Sequence, residues 1–264
     1  MEALYGAYNR REYVSPDPLE FLYLYDAPAD REAVGLIASS LAYGRVASIL
    51  SAVRRVLGLL GRSPAEALAS AGLEELREGL SGFAHRFASG DEIARFLYGA
   101  GRAIETHGSL ERLFLSGYRA PDIWGGMENF ADAILDFASL PQSHLLPRPS
   151  KGSACKRMAL FLRWMAREDD VDPGGWNGVS PRDIIVPLDT HMHRISSGFG
   201  FLARKAADGK AAALVTEGFR AYRPDDPVRY DFALTRFGIR SEMSVKSLLE
   251  EFREVSGQCL STVN

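Results

Sequence analysis

KGSACKRMALFLRWMAR at 151–167, followed after a polar insert by IIVPLDTHMHRI at 184–195, is the stretch on which the reading of this chain turns. Between positions 148 and 167 stand six basic residues (Arg148, Lys151, Lys156, Arg157, Arg163, Arg167) and no acidic one. Cys155, Met158, Ala159, Leu162, Met165 and Ala166 recur at helical spacing and predict an inward stripe. Ser153 is the expected N-cap, with Lys156, Arg163 and Arg167 close together on another face. No acid is interleaved to pair with these cations on their own helix. The preceding LLPRPSKGS (145–153) is a Pro/Gly/Ser turn of the kind that aims backbone N–H groups at an anion. Lys156 falls in the first turn, where the positive end of the helix dipole and Arg157 both disfavour the ammonium. A lysine must lose its proton to act as a nucleophile, so the position is chemically apt. A solvated basic flank is the plainer alternative.

Asp189 precedes what reads as a second helix start, and capping is an ordinary task for it. The functional alternative places its carboxylate across a cleft from Lys156, to take up a proton or stabilise a developing positive charge. His191 and His193 form an H-x-H pair, but no convergent set of Cys or carboxylate ligands accompanies them, and no metal is expected. Residues i and i+2 of a helix also point in different directions.

Outward from this stretch the pattern is helical. Residues 1–28 carry Tyr5, Tyr8, Tyr13, Phe21, Tyr23 and Tyr25 among three prolines, and predict a short helix and an extended arm packed on the body. Asp30 is the expected cap of a long helical region that breaks near Gly44. Its second half repeats Val46, Ile49, Leu50, Val53, Val56, Leu57 and Leu60 as a buried stripe. Ser63-Pro64 opens another helix. Further stripes run over Ile93–Ile104 and Phe130–Ala138, and Asp225-Asp226-Pro227 is read as the start of VRYDFALTRFGI (228–239). Strand alternation is nearly absent, with IIVPL (184–188) faintly extended. The expectation is an all-α chain.

At 264 residues and 46% hydrophobic composition the chain can bury a real core as one large domain or two lobes. A net charge of −3 argues against indiscriminate coating of nucleic acid and leaves room for a local basic face. Two cysteines are too few for a disulfide framework. No apolar run approaches membrane length and no signal core is seen, so a soluble, cytoplasmic protein is expected, with no membrane partner.

VPLDTHMHRISSGFGF (186–201) resembles the segment of the helix-hairpin-helix DNA glycosylases, typified by endonuclease III, that carries their catalytic aspartate. LLPRPSKGSACKRMAL (145–160) lies where those enzymes have a hairpin and a lysine-bearing helix. LIASSLAYGRVASILSAVRRVL (36–57) resembles their early helix pair, whose tip probes the duplex, and YDFALTRFGIR (230–240) a late helix. The likeness covers about residues 30 to 240. The hairpin departs from the usual L-P-G-x-G, and Lys156 and Asp189 stand 33 positions apart because of the insert at 167–183. Both departures are similar to the archaeal 8-oxoguanine glycosylase branch. The four-cysteine iron–sulfur motif is missing, and no cofactor is expected. The chain is also similar to a bacterial conserved family of undefined role.

The resemblance implies a monomer of two helical lobes around a DNA-binding cleft, with an atypical helix-hairpin-helix. The central lobe would span 29–170, and 1–28 with 171–264 would form the second. It implies base-excision repair of double-stranded DNA by a glycosylase with AP-lyase activity, the substrate being an oxidised purine. Lys156 would be the nucleophile and Asp189 its carboxylate. Arg148, Lys151, Gly152, Ser153 and Arg157 would hold phosphates, and Tyr43, Gly44 and Arg45 would meet the duplex. Trp176, Asn177 and His191 are candidate pocket residues. A non-catalytic DNA-structure-binding protein of the same fold is the principal rival, and a helical interaction scaffold the second.

Overall fold

The computed structural model describes residues 1–240 and 242–252. The end of the expected second lobe, 253–264, lies outside them. The chain is mostly helical: α1 (Glu2–Tyr8), α2 (Pro28–Ser40), α3 (Val46–Leu60), α4 (Pro64–Ser70), α5 (Leu73–Gly79), α6 (Gly90–His107), α7 (Leu110–Gly117), α8 (Ile123–Phe137), α9 (Lys156–Ala166), α10 (Thr190–Gly198), α11 (Gly209–Arg220) and α12 (Asp231–Ile239). Residues 245–252 are helical as well. An antiparallel pair, β1 (Ala84–His85) and β2 (Ala88–Ser89), interrupts the series before α6. The sequence offered no strand signal there. Among the described residues no helix is long and apolar enough to cross a membrane.

The stripes become the core as their spacing requires. In α3, Ile49, Leu50, Val53, Val56, Leu57 and Leu60 are buried, each contributing about 1.5–3 kcal/mol if fully removed from water. Helix α6 packs against α4, α5, α7 and α8, and α9 lies on α2. Towards the C-terminus α12 packs against α10 and α1. One continuous core of buried side chains runs through all of these, from Leu19 and Leu36 to Leu162, Met192 and Phe232.

Several expected boundaries move. Asp30 does not cap α2, which starts at Pro28 behind Ala27; its Oδ1 instead accepts from the Ala65 N–H at 2.9 Å, tying α2 to α4. The arm after α1 folds into 3-10 turns at Arg11–Tyr13 and Pro18–Leu24 rather than running extended. The Asp226-Pro227 start fails because Asp226 is taken by Arg167 at 3.0 Å, and α12 begins at Asp231. Ile184–Leu188 forms no strand: Val186 N–H goes to Thr216 Oγ1 at 2.9 Å while its apolar neighbours are buried.

The segment expected to form a hairpin holds one short turn. Pro149–Lys151 is a single 3-10 turn closed by Gly152 at φ +77°. The residues before it, 138–148, are irregular, so only α9 flanks the turn as a helix. Gly209 N–H donates to Gly152 O at 3.0 Å, fastening the turn to the start of α11.

Candidate functional site

Two helix starts converge on a cavity of about 440 Å³. Lys156, the first residue of α9, and Asp189, the N-cap of α10, both line it. Asp17, Ala42, Tyr43, Gly44, Trp164, His191, Asp231 and Arg236 complete much of the wall.

Helix α9 is not capped by Ser153 as expected. Its N-cap is Cys155, held at φ +47°, with Ser153 Oγ accepting from the Cys155 N–H at 3.1 Å. The kink buries the Cys155 side chain, and burial pushes its thiol up to about 11. It also leaves Lys156 at the positive end of the α9 dipole, pointing into the cavity, where Nζ donates to Ala42 O at 3.3 Å. Burial lowers the Lys156 pKa below its ordinary value, against the opposing pull of Asp189, Asp17 and Asp231. Asp189 Oδ1 accepts from Met192 N–H at 2.8 Å, so the carboxylate caps and faces the cavity together. Lys156 and Asp189 form no direct ion pair among the described residues, although Asp189 is the carboxylate that most favours the lysine's charged form.

The expected basic face of α9 does not exist. Arg163 and Arg167 are 3% and 5% exposed. Arg163 reaches Asp172 at 3.1 Å and also pairs with Asp231. Arg167 pairs with Asp172, with Asp169 at 2.9 Å and with Asp226 at 3.0 Å. The acids missing from the helix arrive from the insert, from α12 and from the segment before it, at positions invisible to an i,i+4 reading. Burial raises the Asp231 carboxyl to about 6, against the pull of Arg163. Asp231 Oδ1, Trp164 Nε1 and Arg236 Nε are buried without hydrogen-bond partners, and all three residues line the cavity. Sequence reading singled out none of Asp17, Trp164, Asp231 and Arg236. Asp231 and Arg236 both stood in a stretch noted only as a late helix.

The other expected site residues fall into two groups. Tyr43 and Gly44 line the cavity, and the exposed Arg45 precedes α3 beside them. Tyr43 Oη donates to His85 O at 2.8 Å and lies 3.1 Å from His144 Nε2. Arg157 sits 4.9 Å over the Tyr43 ring and donates to His144 O, so its guanidinium is already engaged. Arg148 is likewise held by Asp132 and by Pro141 O at 2.8 Å. Lys151 and Gly152 are exposed, and with Ser153 they line an open groove that shares Ala42, Tyr43, Lys156, Leu188 and Ala207 with the cavity. His191 lines the cavity, packed so closely on Gly238 that a Cβ there would meet its Nδ1 at 2.3 Å. His193 turns to Arg204 O at 3.1 Å, so the two histidines diverge.

Trp176 and Asn177 are not pocket residues. Trp176 is 5% exposed, and its Nε1 donates to Glu32 Oε1 at 2.7 Å inside the core, against Phe114 and Phe161. Asn177 is exposed, and its backbone N–H is bound by Glu111 at 2.7 Å. The insert therefore anchors the helices with its tryptophan rather than walling the cavity.

These features define a helical protein with a half-buried lysine and a carboxylate sharing one cavity. The chain belongs to the family described as protein of unknown function (DUF2400), whose model matches residues 17–240 and so takes in every cavity-lining position. No curated protein and no solved structure matches the chain.

Proposed function

We propose that this protein is a DNA base-excision repair enzyme that removes a damaged base and cleaves the resulting abasic site through a Schiff base on Lys156. The observation that carries this reading is the shared cavity. One helix start delivers a lysine whose charge is destabilised by burial, and a second delivers a carboxylate to the same space. A neutral amine is the form that attacks an electrophilic carbon. The target sugar carbon is inaccessible within a stacked duplex, so the nucleotide must be turned out into such a cavity.

In this scheme Lys156 Nζ bonds to C1′ as the glycosidic bond breaks. The base leaves with the bonding electron pair and takes up a proton, and opening of the sugar ring gives an imine. Loss of a proton from C2′ then expels the 3′ phosphate. Asp189 shuttles protons and offsets the positive charge on the sugar. Lys151, Gly152 and Ser153, on the groove wall, are the residues best placed for backbone phosphates, which position a duplex without reading its sequence. Arg148 and Arg157 would have to leave present partners to join them. An oxidised purine remains the proposed lesion, by likeness to the 8-oxoguanine branch.

The test is borohydride trapping on duplexes carrying single lesions or an abasic site. Wild type is expected to give a covalent adduct and strand cleavage. Lys156→Gln should give neither, and Asp189→Asn should slow both about 10²–10⁴-fold while still capping α10. Full activity in Asp189→Asn would reduce that residue to a cap, and persistent trapping in Lys156→Gln would move the nucleophile elsewhere.

A further inference from the structure

The most exposed large apolar side chain among the described residues is Phe87, at 76%. It shares with Arg86 the two-residue tip between β1 and β2, in which His85 pairs with Ala88. Arg86 is held at φ +54°, a conformation disfavoured for residues with a Cβ. The tip is fastened rather than loose. His85 is buried, with its Nε2 3.0 Å from Leu41 O, and its own carbonyl accepts from Tyr43 Oη. Arg86 also lies so close over Gly44 that a Cβ there would stand 2.5 Å from its Cδ. The hairpin is thus locked to the 41–44 segment, whose Ala42 carbonyl accepts from Lys156.

Phe87 and Lys156 line the same open groove, of about 760 Å³, together with Lys151, Gly152 and Ser153. A lone exposed apolar residue needs no explanation, but this one has particular surroundings. Arg45, Arg86 and Lys151 are exposed around the cavity mouth and groove, and none of them has an ion pair among the described residues. The Arg86 guanidinium lies 5.3 Å from the Phe87 ring. A rigidly presented aromatic ring among uncompensated cations suits a polyanion with flat apolar faces, namely the stacked bases and phosphates of DNA.

We infer that Phe87 is a stacking wedge, which enters the base stack beside the nucleotide drawn towards Lys156 and favours duplexes whose stack is already broken. This rests on the DNA-repair reading above and adds to it the residue and the DNA structure that would be recognised. Apolar side chains inserted at a base step replace lost stacking, and one base–aromatic contact is worth about 5- to 150-fold in affinity.

The experiment compares the full chain with Phe87→Ala and Phe87→Trp. Probes are a duplex with a tetrahydrofuran abasic analogue flanked by 2-aminopurine, and the same duplex intact. The expected result for Phe87→Ala is at least about a fivefold loss of preference for the abasic duplex, with weaker 2-aminopurine fluorescence change and an unaltered salt slope. Phe87→Trp should retain the preference. An alanine variant with wild-type preference overturns the wedge, even where wild type is trapped by borohydride and Lys156→Gln is not. An alanine variant that changes only self-association in sedimentation also overturns it, and assigns the ring to a second copy of the chain. Wild type that binds neither duplex overturns both this inference and the reading it rests on.

Discussion

Replacing Arg163 by Met tests whether α9 carries a DNA-facing basic surface or a buried ionic network. Arg163 holds Asp172 at 3.1 Å and Asp231, which are 0% and 3% exposed. Methionine fills similar space but leaves Asp231 without its guanidinium, whereas Asp172 keeps Arg167. Removing one partner of a buried pair costs about 3–5 kcal/mol. The loss should also depend on pH. Asp231 already titrates near 6 because burial raises it, and without Arg163 it should rise further. A carboxyl whose folded pKa lies above its unfolded value destabilises the fold as pH rises through the folded pKa. Urea unfolding should therefore show a larger deficit at pH 8 than at pH 5. Adding Asp231→Leu to Arg163→Met should recover much of the deficit by removing the stranded charge. A loss below about 1 kcal/mol at pH 8, in the range of an exposed ion pair, would refute the network.

Lys156 makes the opposite prediction. Its folded pKa is lowered, chiefly by burial, so the fold binds that proton less tightly than the unfolded chain. Wild type should gain stability as pH rises from the folded pKa towards the lysine's ordinary value, while Lys156→Met should be at least as stable at pH 7 and lack that gain; thermal melts at pH 7 and pH 10 decide it. Lys151→Ala should flatten the plot of log affinity for DNA against log salt by roughly 0.9, the value for one phosphate contact. An unchanged slope there would remove Lys151 from the interface.

Helices such as α3, α6 and α8 were legible because each buries one stripe at a period of about 3.6, whereas α2, buried without a break from Glu32 to Ser40, carries no such stripe. Their ends were less so. Asp30, Ser153 and Asp226 all carry the side chains that cap helices, yet each is spent elsewhere: on Ala65, on Cys155 and on Arg167. A capping side chain competes with every other donor the fold brings near it, and only the assembled chain decides the outcome. Asp189 was the case in which local and tertiary demands coincide, since the carboxylate that caps α10 also faces Lys156's cavity.

The reading of charge failed for a related reason. An acid-free basic run predicts a charged surface because helix pairs are sought at i+3 and i+4. Here Arg163 and Arg167 find acids 2 to 68 positions away, on the insert, on α12 and at Asp226 in the segment before it. The consequence for the site is physical. With those two guanidinium groups neutralised in the core, Lys156 is not one charge in a basic patch but an amine set among Asp189, Asp17 and Asp231, with Arg157 acting against them. Three carboxylates pull its pKa up and burial pulls it down further. The ion pairs that erase the expected basic face thus leave burial, helped by Arg157, as what lowers the lysine's pKa, and they leave Lys151, Arg45 and Arg86 as exposed cations without ion pairs among the described residues.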